Sequence, residues 1–169
     1  MIDHSLTYKR KTFRNIPHIL RLRKILRTLK SLVPKRDESY LDIGCSNGYI
    51  TGVIRSTYCL GVSRGMDHVV ENLELARQRY PDIKFEFIDL IKQVFPERVK
   101  VEIITCFETL EHVGDLTNAI KNIVVFRDLG SRILISVPIE IGMVGIVKFL
   151  FVQYSAFNSF STRFYIIKK

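Results

Sequence analysis

A strand-like segment followed at once by small and polar residues is the first feature of this sequence that could bind a ligand. It reads YLDIGCSNGYIT and begins at Tyr40. Gly44 can adopt the backbone angles of a tight turn, Ser46 is small enough for close approach to a ligand, and Gly48 lets the next helix pack closely. Asp42, two residues before the turn, supplies a carboxylate that could hold turn amides or a ligand ammonium. Such a turn can also be purely structural, so its spacing alone is a weak indication of a binding site.

A second segment, EIITCFETLEHV, places two carboxylates and an imidazole directly after an apolar strand. If a helical turn begins after Phe107, the side chains of Glu108, Glu111 and His112 share one face, because residues three and four apart are neighbours on a helix. Carboxylates suit divalent cations, so this group could bind a metal. Without a metal, His112 is the best general-base candidate, since the reference pKa of histidine is near neutrality. The group could also simply cap a helix start, and we hold a divalent metal as the minor alternative.

Strands that alternate with helices must position these two segments. Apolar and alternating runs predict strands at 39–44, 58–62, 83–90, 101–107 and 132–138, with a further candidate at 163–169. Helical spacing of apolar residues predicts helices at 15–33, 49–56, 66–80 and 115–130, the last one stopping at Gly130. This order predicts an α/β fold with a doubly wound, mostly parallel sheet and helices on both faces. In such sheets the ligand site lies beyond the carboxyl ends of the strands, where both segments would meet.

The spacing of the first segment differs from the dinucleotide-binding pattern G-x-G-x-x-G. D-x-G-x-S-x-G, from Asp42 to Gly48, instead resembles the first motif of class I S-adenosylmethionine-dependent methyltransferases, whose usual form is D-x-G-x-G-x-G. FETLEHV is similar to the fourth-strand motif of that family, and RILISVP fits its fifth strand. The resemblance extends over about 39–138. It implies the Rossmann-like fold of the family, in a form that could lack the family's last, antiparallel strand.

The resemblance implies S-adenosylmethionine as the cofactor and assigns residues to it. The turn would cradle the methionine part, Asp89 and Leu90 would flank the adenine, and Cys106 and Phe107 would line the cofactor below the transferring methyl group. Ser63 follows the predicted second strand, where the family has an acid that binds the ribose. The serine would weaken binding, and Asp67 is interpreted as a helix-start acid. The residues expected to bind the cofactor are Asp42, Gly44, Cys45, Ser46, Gly48, Tyr49, Ser63, Asp89, Leu90, Cys106 and Phe107. Those expected to carry catalysis are His112, Glu108 and Glu111.

The formal charge of +9 is concentrated near the start of the chain. Between Tyr8 and Arg36 there are eleven basic residues and no acidic one. We therefore divide the chain into a basic N-terminal helical arm, 1–36, and an S-adenosylmethionine-binding methyltransferase domain, 37–169. The simpler interpretation is that the arm is a helix that covers the cofactor site and exposes its basic residues to solvent. The alternative is attraction of an anionic membrane surface or a nucleic acid.

Composition favours a cytoplasmic protein, with a peripheral position at the membrane as an alternative. The three cysteines are too few for a disulfide framework, and no leader segment is apparent. The most apolar stretch, 137–154, contains Glu140 and Lys148 and does not read as a membrane span. We expect O-methylation of a small-molecule, glycan or lipid-linked acceptor. The alternatives are a degenerate S-adenosylmethionine-binding module without catalysis and an RNA methyltransferase that uses the basic arm.

Overall fold

A computed structural model describes residues 15–92, 99–138 and 162–167 of the 169-residue chain. The helices are α1 (Ile16–Lys30), α2 (Tyr49–Tyr58), α3 (Val70–Arg79) and α4 (Leu116–Val125), with a 3-10 turn at Leu110–His112. The strands are β1 (Tyr40–Ile43), β2 (Ser63–Asp67), β3 (Lys84–Phe87), β4 (Val101–Phe107), β5 (Arg127–Pro138) and β6 (Thr162–Ile167).

The six strands form one sheet in the order β3-β2-β1-β4-β5-β6. Neighbours from β3 to β5 are parallel, and β6 runs antiparallel to β5. The chain fills one half of the sheet through β3 and then returns to place β4 beside β1. This reversal opens a crevice above the carboxyl ends of β1 and β4, where ligands bind in such sheets. The prediction of a doubly wound, mostly parallel sheet is confirmed.

Helices cover both faces of the sheet because successive strand side chains point to opposite sides. On one face α1 and α2 bury Ile25, Leu29 and Ile54 against a row of side chains from three strands, namely Tyr40, Ile103 and Leu134. On the other face α4 packs Ala119 and Ile123 against Leu41, Ile104 and Ile133. The alternation of Ile103 and Ile104 along β4 therefore determines which helix each residue contacts.

The carboxyl end of α1 is fixed to the sheet by the guanidinium of Arg132. Its Nη1 donates to the carbonyl oxygens of Leu32 and Val33, at 2.8 Å in both cases. Its Nη2 lies 2.5 Å from Oε2 of Glu38, and both side chains are only 14% exposed. These carbonyl groups belong to the two residues that follow the C-cap Ser31, so the bonds hold the chain to β5 where it leaves α1. The helical part of the basic arm is therefore packed on the core, whereas 1–14 lies outside the described residues.

The predicted second strand at 58–62 is wrong. Helix α2 continues to Tyr58, and the strand is Ser63–Asp67. The error arose because the run around Leu60 is apolar, whereas β2 itself reads S-R-G-M-D. Gly65 contributes to this weak pattern because a Cβ there would lie 2.5 Å from the ring of Phe85. Packing against β3 thus removes the side chain that would have marked β2 as a strand.

The predicted helix at 115–130 is correct at its start and wrong at its end. Asp115 caps α4, its carboxylate accepting the N–H of Asn118 at 3.0 Å. The helix ends at Val125, and β5 begins at Arg127. Gly130 has a φ of +87° but lies within β5, not behind the helix. A register shift between β4 and β5 near Val101 makes this first part of β5 irregular, and sequence periodicity cannot show such a shift.

In the part of the chain that the structure describes, no helix combines the length and the apolar character that crossing a bilayer requires. The apolar stretch at 137–154 lies, from 139 onward, outside the described residues.

Candidate active site at the carboxyl edge of the sheet

Two adjoining cavities lie above the carboxyl ends of the parallel strands. One, the β2-side cavity, has a volume of about 380 Å³ and extends from β1 across the ends of β2 and β3. The other, the α1-side cavity, has a volume of about 400 Å³ and lies between α1, the turn after β1 and the end of β4. Both are lined by Gly44, Ser46, Glu108 and His112. A ligand of two chemically different halves could therefore occupy both cavities and cross at the turn.

The turn after β1 requires glycine at two positions. Gly44 has a φ of +77°, and a Cβ there would lie 1.9 Å from Oγ1 of Thr109. Gly48 has a φ of +71°, and its Cβ would lie 2.7 Å from the ring of Phe85. Ser46 also has a positive φ, +48°, which is uncommon for a residue with a side chain. The turn is thus tightly closed, and its backbone lines both cavities.

Asp67 fixes this turn from the end of β2. Its Oδ2 accepts the N–H of Ser46 at 2.8 Å, and its Oδ1 accepts the N–H of Val69 at 2.9 Å. The residue is only 6% exposed, and it lines the β2-side cavity. Each carboxylate oxygen has two lone pairs, so both retain capacity for hydroxyl groups of a ligand. Asp67 is an oriented, buried acceptor at the edge where β2 meets the cavity.

Ser63 lies at the opposite end of the same strand. It pairs with Tyr40, at the start of β1, and its hydroxyl donates to the carbonyl oxygen of Gly61 at 3.0 Å. It lines neither cavity. The expectation that a serine replaces the acid after the second strand followed from the misplaced strand, and the structure corrects it. The residue at the carboxyl end of β2 is Asp67, an acid.

Asp42 lies beneath the turn in a network of hydroxyl groups. Its two carboxylate oxygens accept from Thr51 at 2.6 Å and from Thr105 at 2.7 Å, and the Tyr40 hydroxyl lies 2.9 Å from that of Thr105. Burial raises the pKa of Asp42 to about 6, and the two threonine bonds oppose that rise. The carboxylate joins β1 to β4 and α2, and it also lines the α1-side cavity.

Asp89 and its neighbours form the far wall of the β2-side cavity. The Asp89 carboxylate accepts the backbone N–H groups of Ile91 at 3.0 Å and Lys92 at 3.2 Å. These bonds, that from Ile91 first, lower the pKa of Asp89 and keep it an ionised acceptor. Ile88 and Leu90 are buried beside it. The wall therefore combines apolar surface with one oriented carboxylate, which suits a planar ring with an amino group.

The expected helical turn from Glu108 to His112 is wrong. Glu108 has a φ of +49°, and the 3-10 turn begins only at Leu110. The Glu108 carboxylate accepts from Oγ of Ser136 at 3.1 Å and lines both cavities, whereas Glu111 lines neither. Burial, more than any other influence, raises the pKa of Glu111. The His112 side chain is 76% exposed at the mouth shared by the cavities, 3.9 Å from the Glu111 carboxylate.

Within the described ranges, no group of three or more His, Cys, Asp or Glu side chains is placed to hold a metal ion. The positive φ of Glu108 interrupts the helical spacing that Glu108, Glu111 and His112 show in the sequence. The two carboxylates do not share a helical face, so the spacing on which the metal alternative depended is not formed.

Helix α1 contributes a polar edge to its cavity. His18, Arg21 and Ile25 line the α1-side cavity from above. Nη2 of Arg21 lies 3.6 Å from Oε2 of Glu108, and the two side chains are 19% and 18% exposed. The sequence contains a signal for this arrangement, since these residues recur at helical spacing on the face that buries Ile25. The basic character of the whole arm conceals this signal.

The cavities unite most of the predicted site residues. Those that line one or both cavities are Asp42, Gly44, Cys45, Ser46, Tyr49, Asp89, Leu90, Phe107, Glu108 and His112. Those that line neither are Gly48, Ser63, Cys106 and Glu111. Cys106 is fully buried in the core beneath α4, on the face opposite Phe107, and burial raises its pKa to about 12.

Lining residues that the sequence did not suggest include His68, Asn72, Thr109 and Val113. The sequence does not indicate Thr109, because this residue belongs to the site only through its tertiary contact with Gly44. His68 and Asn72 follow Asp67 at the start of α3, so they would have been predicted with the correct end of β2.

Residues 10–140 match a family model described as a methyltransferase domain. No curated protein sequence matches the chain. Similar solved structures include a TehB-like S-adenosylmethionine-dependent methyltransferase from Corynebacterium glutamicum, at 22% identity over 67% of this chain and 61% of that one, with a TM-score of 0.59. A Mesorhizobium loti S-adenosylmethionine-dependent methyltransferase matches at 21% identity over 66% and 52%, with a TM-score of 0.58.

A third similar structure is coclaurine N-methyltransferase bound to N-methylheliamine and S-adenosylhomocysteine, at 15% identity over 69% of this chain and 35% of that one, with a TM-score of 0.60. At such identities the likeness establishes the fold. The chain spans between 35% and 61% of the length of these three structures.

Proposed function

Since the chain belongs to the methyltransferase domain family and shares the fold of S-adenosylmethionine-dependent enzymes, we propose that it transfers a methyl group from S-adenosylmethionine to an acceptor hydroxyl. The observation that carries this proposal is the buried Asp67 carboxylate in the β2-side cavity, beside the turn at which the two cavities meet. It is held by the turn after β1 and faces the β2-side cavity. An oriented carboxylate there suits a ribose with two adjacent hydroxyl groups.

The β2-side cavity suits the adenosine half of the cofactor. Asp67 would accept from the ribose, and Asp89 would accept from the exocyclic amine of adenine. Ile88, Leu90 and Val113 supply apolar walls for the ring. The turn after β1 would then direct the methionine half into the α1-side cavity. The residues present therefore fit the group that the family requires.

When bound, the cofactor supplies an electrophilic methyl group on a sulfonium, and the protein supplies orientation and proton removal. Phe107 lines the α1-side cavity at the end of β4 and would hold the reacting groups in line. His112 stands at the mouth shared by both cavities and is the group best placed to take a proton from an acceptor hydroxyl. Glu108 would orient groups at the same junction.

We expect the acceptor to be a small molecule, a glycan or a lipid-linked compound. The first test is calorimetric titration with S-adenosylmethionine and S-adenosylhomocysteine, and absence of binding at millimolar concentration would reject the proposal. The second test incubates the protein and methyl-labelled cofactor with a cell extract. Label that depends on the protein and is lost with His112→Ala supports catalysis, and its partition into organic solvent separates lipid-linked acceptors from polar ones.

A non-catalytic cofactor-binding module is the alternative from a different class of protein. The serine expected after the second strand added weight to it, and the acid at the end of β2 removes that one support. The titration described above, together with the labelling experiment, still distinguishes the two: a module would bind the cofactor but give no protein-dependent label.

An RNA acceptor is favoured by one observation, the exposed basic face of α1. Arg23, Lys24, Arg27 and Lys30 are all exposed along this helix. Binding to phosphates releases counterions and falls steeply with salt. Retention of RNA that declines with salt, and that is lost when Arg23, Arg27 and Lys30 are all changed to Gln, would support this second candidate. Retention unaffected by these changes would oppose it.

A further inference from the structure

The side of α1 that faces away from the sheet carries a continuous row of exposed side chains, which we call the α1 stripe. Alternating spacings of four and three residues place its members on one face of the helix. The members are Ile16, Leu20, Arg23, Arg27 and Lys30. Ile25 and Leu29 lie on the opposite face and are buried against the sheet. The stripe is therefore the outer surface of a helix whose inner face is fixed in the core.

The carboxyl-terminal half of the α1 stripe is positively charged. Arg23, Arg27 and Lys30 are all exposed, and none of them forms an ion pair with an acidic side chain among the described residues. Lys24 lies exposed beside them, and the helix sequence IPHILRLRKILRTLK contains no acidic residue. Each arginine or lysine held near an anionic bilayer strengthens the attraction to it. This half of the stripe therefore complements a surface of negative charge.

The amino-terminal half of the α1 stripe is apolar. Ile16 is 41% exposed and Leu20 is 47% exposed, and the two side chains lie one helical turn apart in line with the cations. A bilayer interface accommodates both kinds of side chain, because apolar groups enter the acyl boundary while basic groups stay among the headgroup phosphates. A nucleic acid would bind the cations and leave the two apolar side chains in water. In addition, α1 contains no aromatic ring on which a base could stack.

We propose that the α1 stripe docks this protein on the surface of an anionic lipid bilayer. The helix lies along the interface, with Ile16 and Leu20 in the acyl boundary and the three cations on lipid phosphates. The inner face of α1 lines the α1-side cavity through Ile25, so the helix separates this cavity from the bilayer by about one helix diameter, ~10 Å. The interaction does not depend on methyl transfer, because no member of the stripe lines either cavity.

The experiment sediments the full chain with vesicles of phosphatidylcholine alone and with vesicles of phosphatidylcholine and phosphatidylglycerol in equal parts, at low and at high salt. A charge variant changes Arg23, Arg27 and Lys30 to Gln, and an apolar variant changes Ile16 and Leu20 to Ser. The matched control removes the same charge from exposed lysines outside α1, by changing Lys84, Lys92 and Lys121 to Gln. Thermal unfolding of each variant checks that the fold is retained.

Wild-type protein and the control should bind the mixed vesicles and not those of phosphatidylcholine alone. The charge variant should bind the mixed vesicles roughly 100-fold more weakly, at about fivefold for each cation removed. The apolar variant should bind them roughly 10-fold more weakly at either salt concentration, because salt does not screen apolar contacts. Failure of wild-type protein to bind the mixed vesicles would overturn the inference, as would an equal loss in the control.

A parallel titration with single-stranded RNA tests the competing occupant of the same face. RNA binding that requires the three cations, together with vesicle binding that the apolar variant retains in full, would overturn the inference in favour of a nucleic acid. Vesicle binding that is weakened in both the charge variant and the apolar variant supports the bilayer.

Discussion

Replacement of Asp67 by Asn and of Ser63 by Ala discriminates between the acid that the structure places at the site and the serine that the sequence suggested. Asp67 ends β2 at the cavity, whereas Ser63 begins the same strand and donates its hydroxyl to Gly61. We expect Asp67→Asn to weaken S-adenosylhomocysteine binding strongly and Ser63→Ala to leave it unchanged.

The magnitude follows from the hydrogen bonds of Asp67. Its oxygens accept the Ser46 and Val69 amides and retain one further acceptor site each for a ribose hydroxyl. Asn keeps one oxygen and loses the charge, so at least one charge-assisted bond disappears. Such a bond contributes about 1.5–3 kcal/mol, which corresponds to a roughly 10- to 100-fold loss of affinity.

The assay is calorimetric titration of both variants with S-adenosylhomocysteine and with its 2′-deoxy analogue. Direct contact with the ribose predicts that wild type loses affinity for the analogue, whereas Asp67→Asn loses little more. If the analogue weakens both proteins equally, Asp67 acts only through the turn. If Ser63→Ala is as defective as Asp67→Asn, the placement of β2 is wrong.

Three further predictions concern the remaining groups of the site. The Asp42 carboxyl has a pKa of about 6 in the folded protein and about 4 in the unfolded chain, so the native state binds the extra proton between these values. Relative to Asp42→Asn, the free energy of unfolding of the wild type, measured with urea, should therefore fall by about 3 kcal/mol as the pH rises from about 4 to 7. A difference that does not change with pH would contradict this. Gly44→Ala should lower the melting temperature and the cofactor affinity, because Gly44 has a φ of +77° and an added Cβ would collide with Thr109. The double variant with Thr109→Ala should regain only part of the lost melting temperature and affinity. Full recovery would show that the backbone angle is unimportant. In the labelling experiment, His112→Ala should reduce turnover by about 100-fold or more while Glu111→Gln reduces it far less, since Glu111 lines neither cavity; equal losses would refute the assignment.

The parts of the fold with strong local patterns were predictable. The strand around Ile104 is predominantly apolar, as expected for a strand covered on both faces, and its predicted bounds agree with β4. The turn at Gly44 was recognisable because left-handed backbone angles favour glycine. The cap at Asp115 gave the start of α4. In each case the physical cause acts within a few residues, so it leaves a trace in the sequence.

The sequence could not place the boundaries and contacts that packing decides. The apolar residues around Leu60 have the pattern of a strand but do not form one. The true strand β2 has a weak pattern, partly because the ring of Phe85 leaves room only for glycine at position 65. The positive φ of Glu108 interrupted a spacing that looked helical. Both features depend on residues that are distant in sequence, and local periodicity carries no record of them.

By itself, the sequence determined the order of strands and helices, the turn after β1 and the association of the two motifs with one edge of the sheet. Tertiary structure alone decided that Asp67, and not Ser63, ends β2 at the cavity, and that Arg21 approaches Glu108 across it. The physical reason is that a parallel strand acquires its register from its neighbours. A shift of five residues along the chain, from 58–62 to Ser63–Asp67, changes which residue ends β2 at the ligand, at little cost in local propensity.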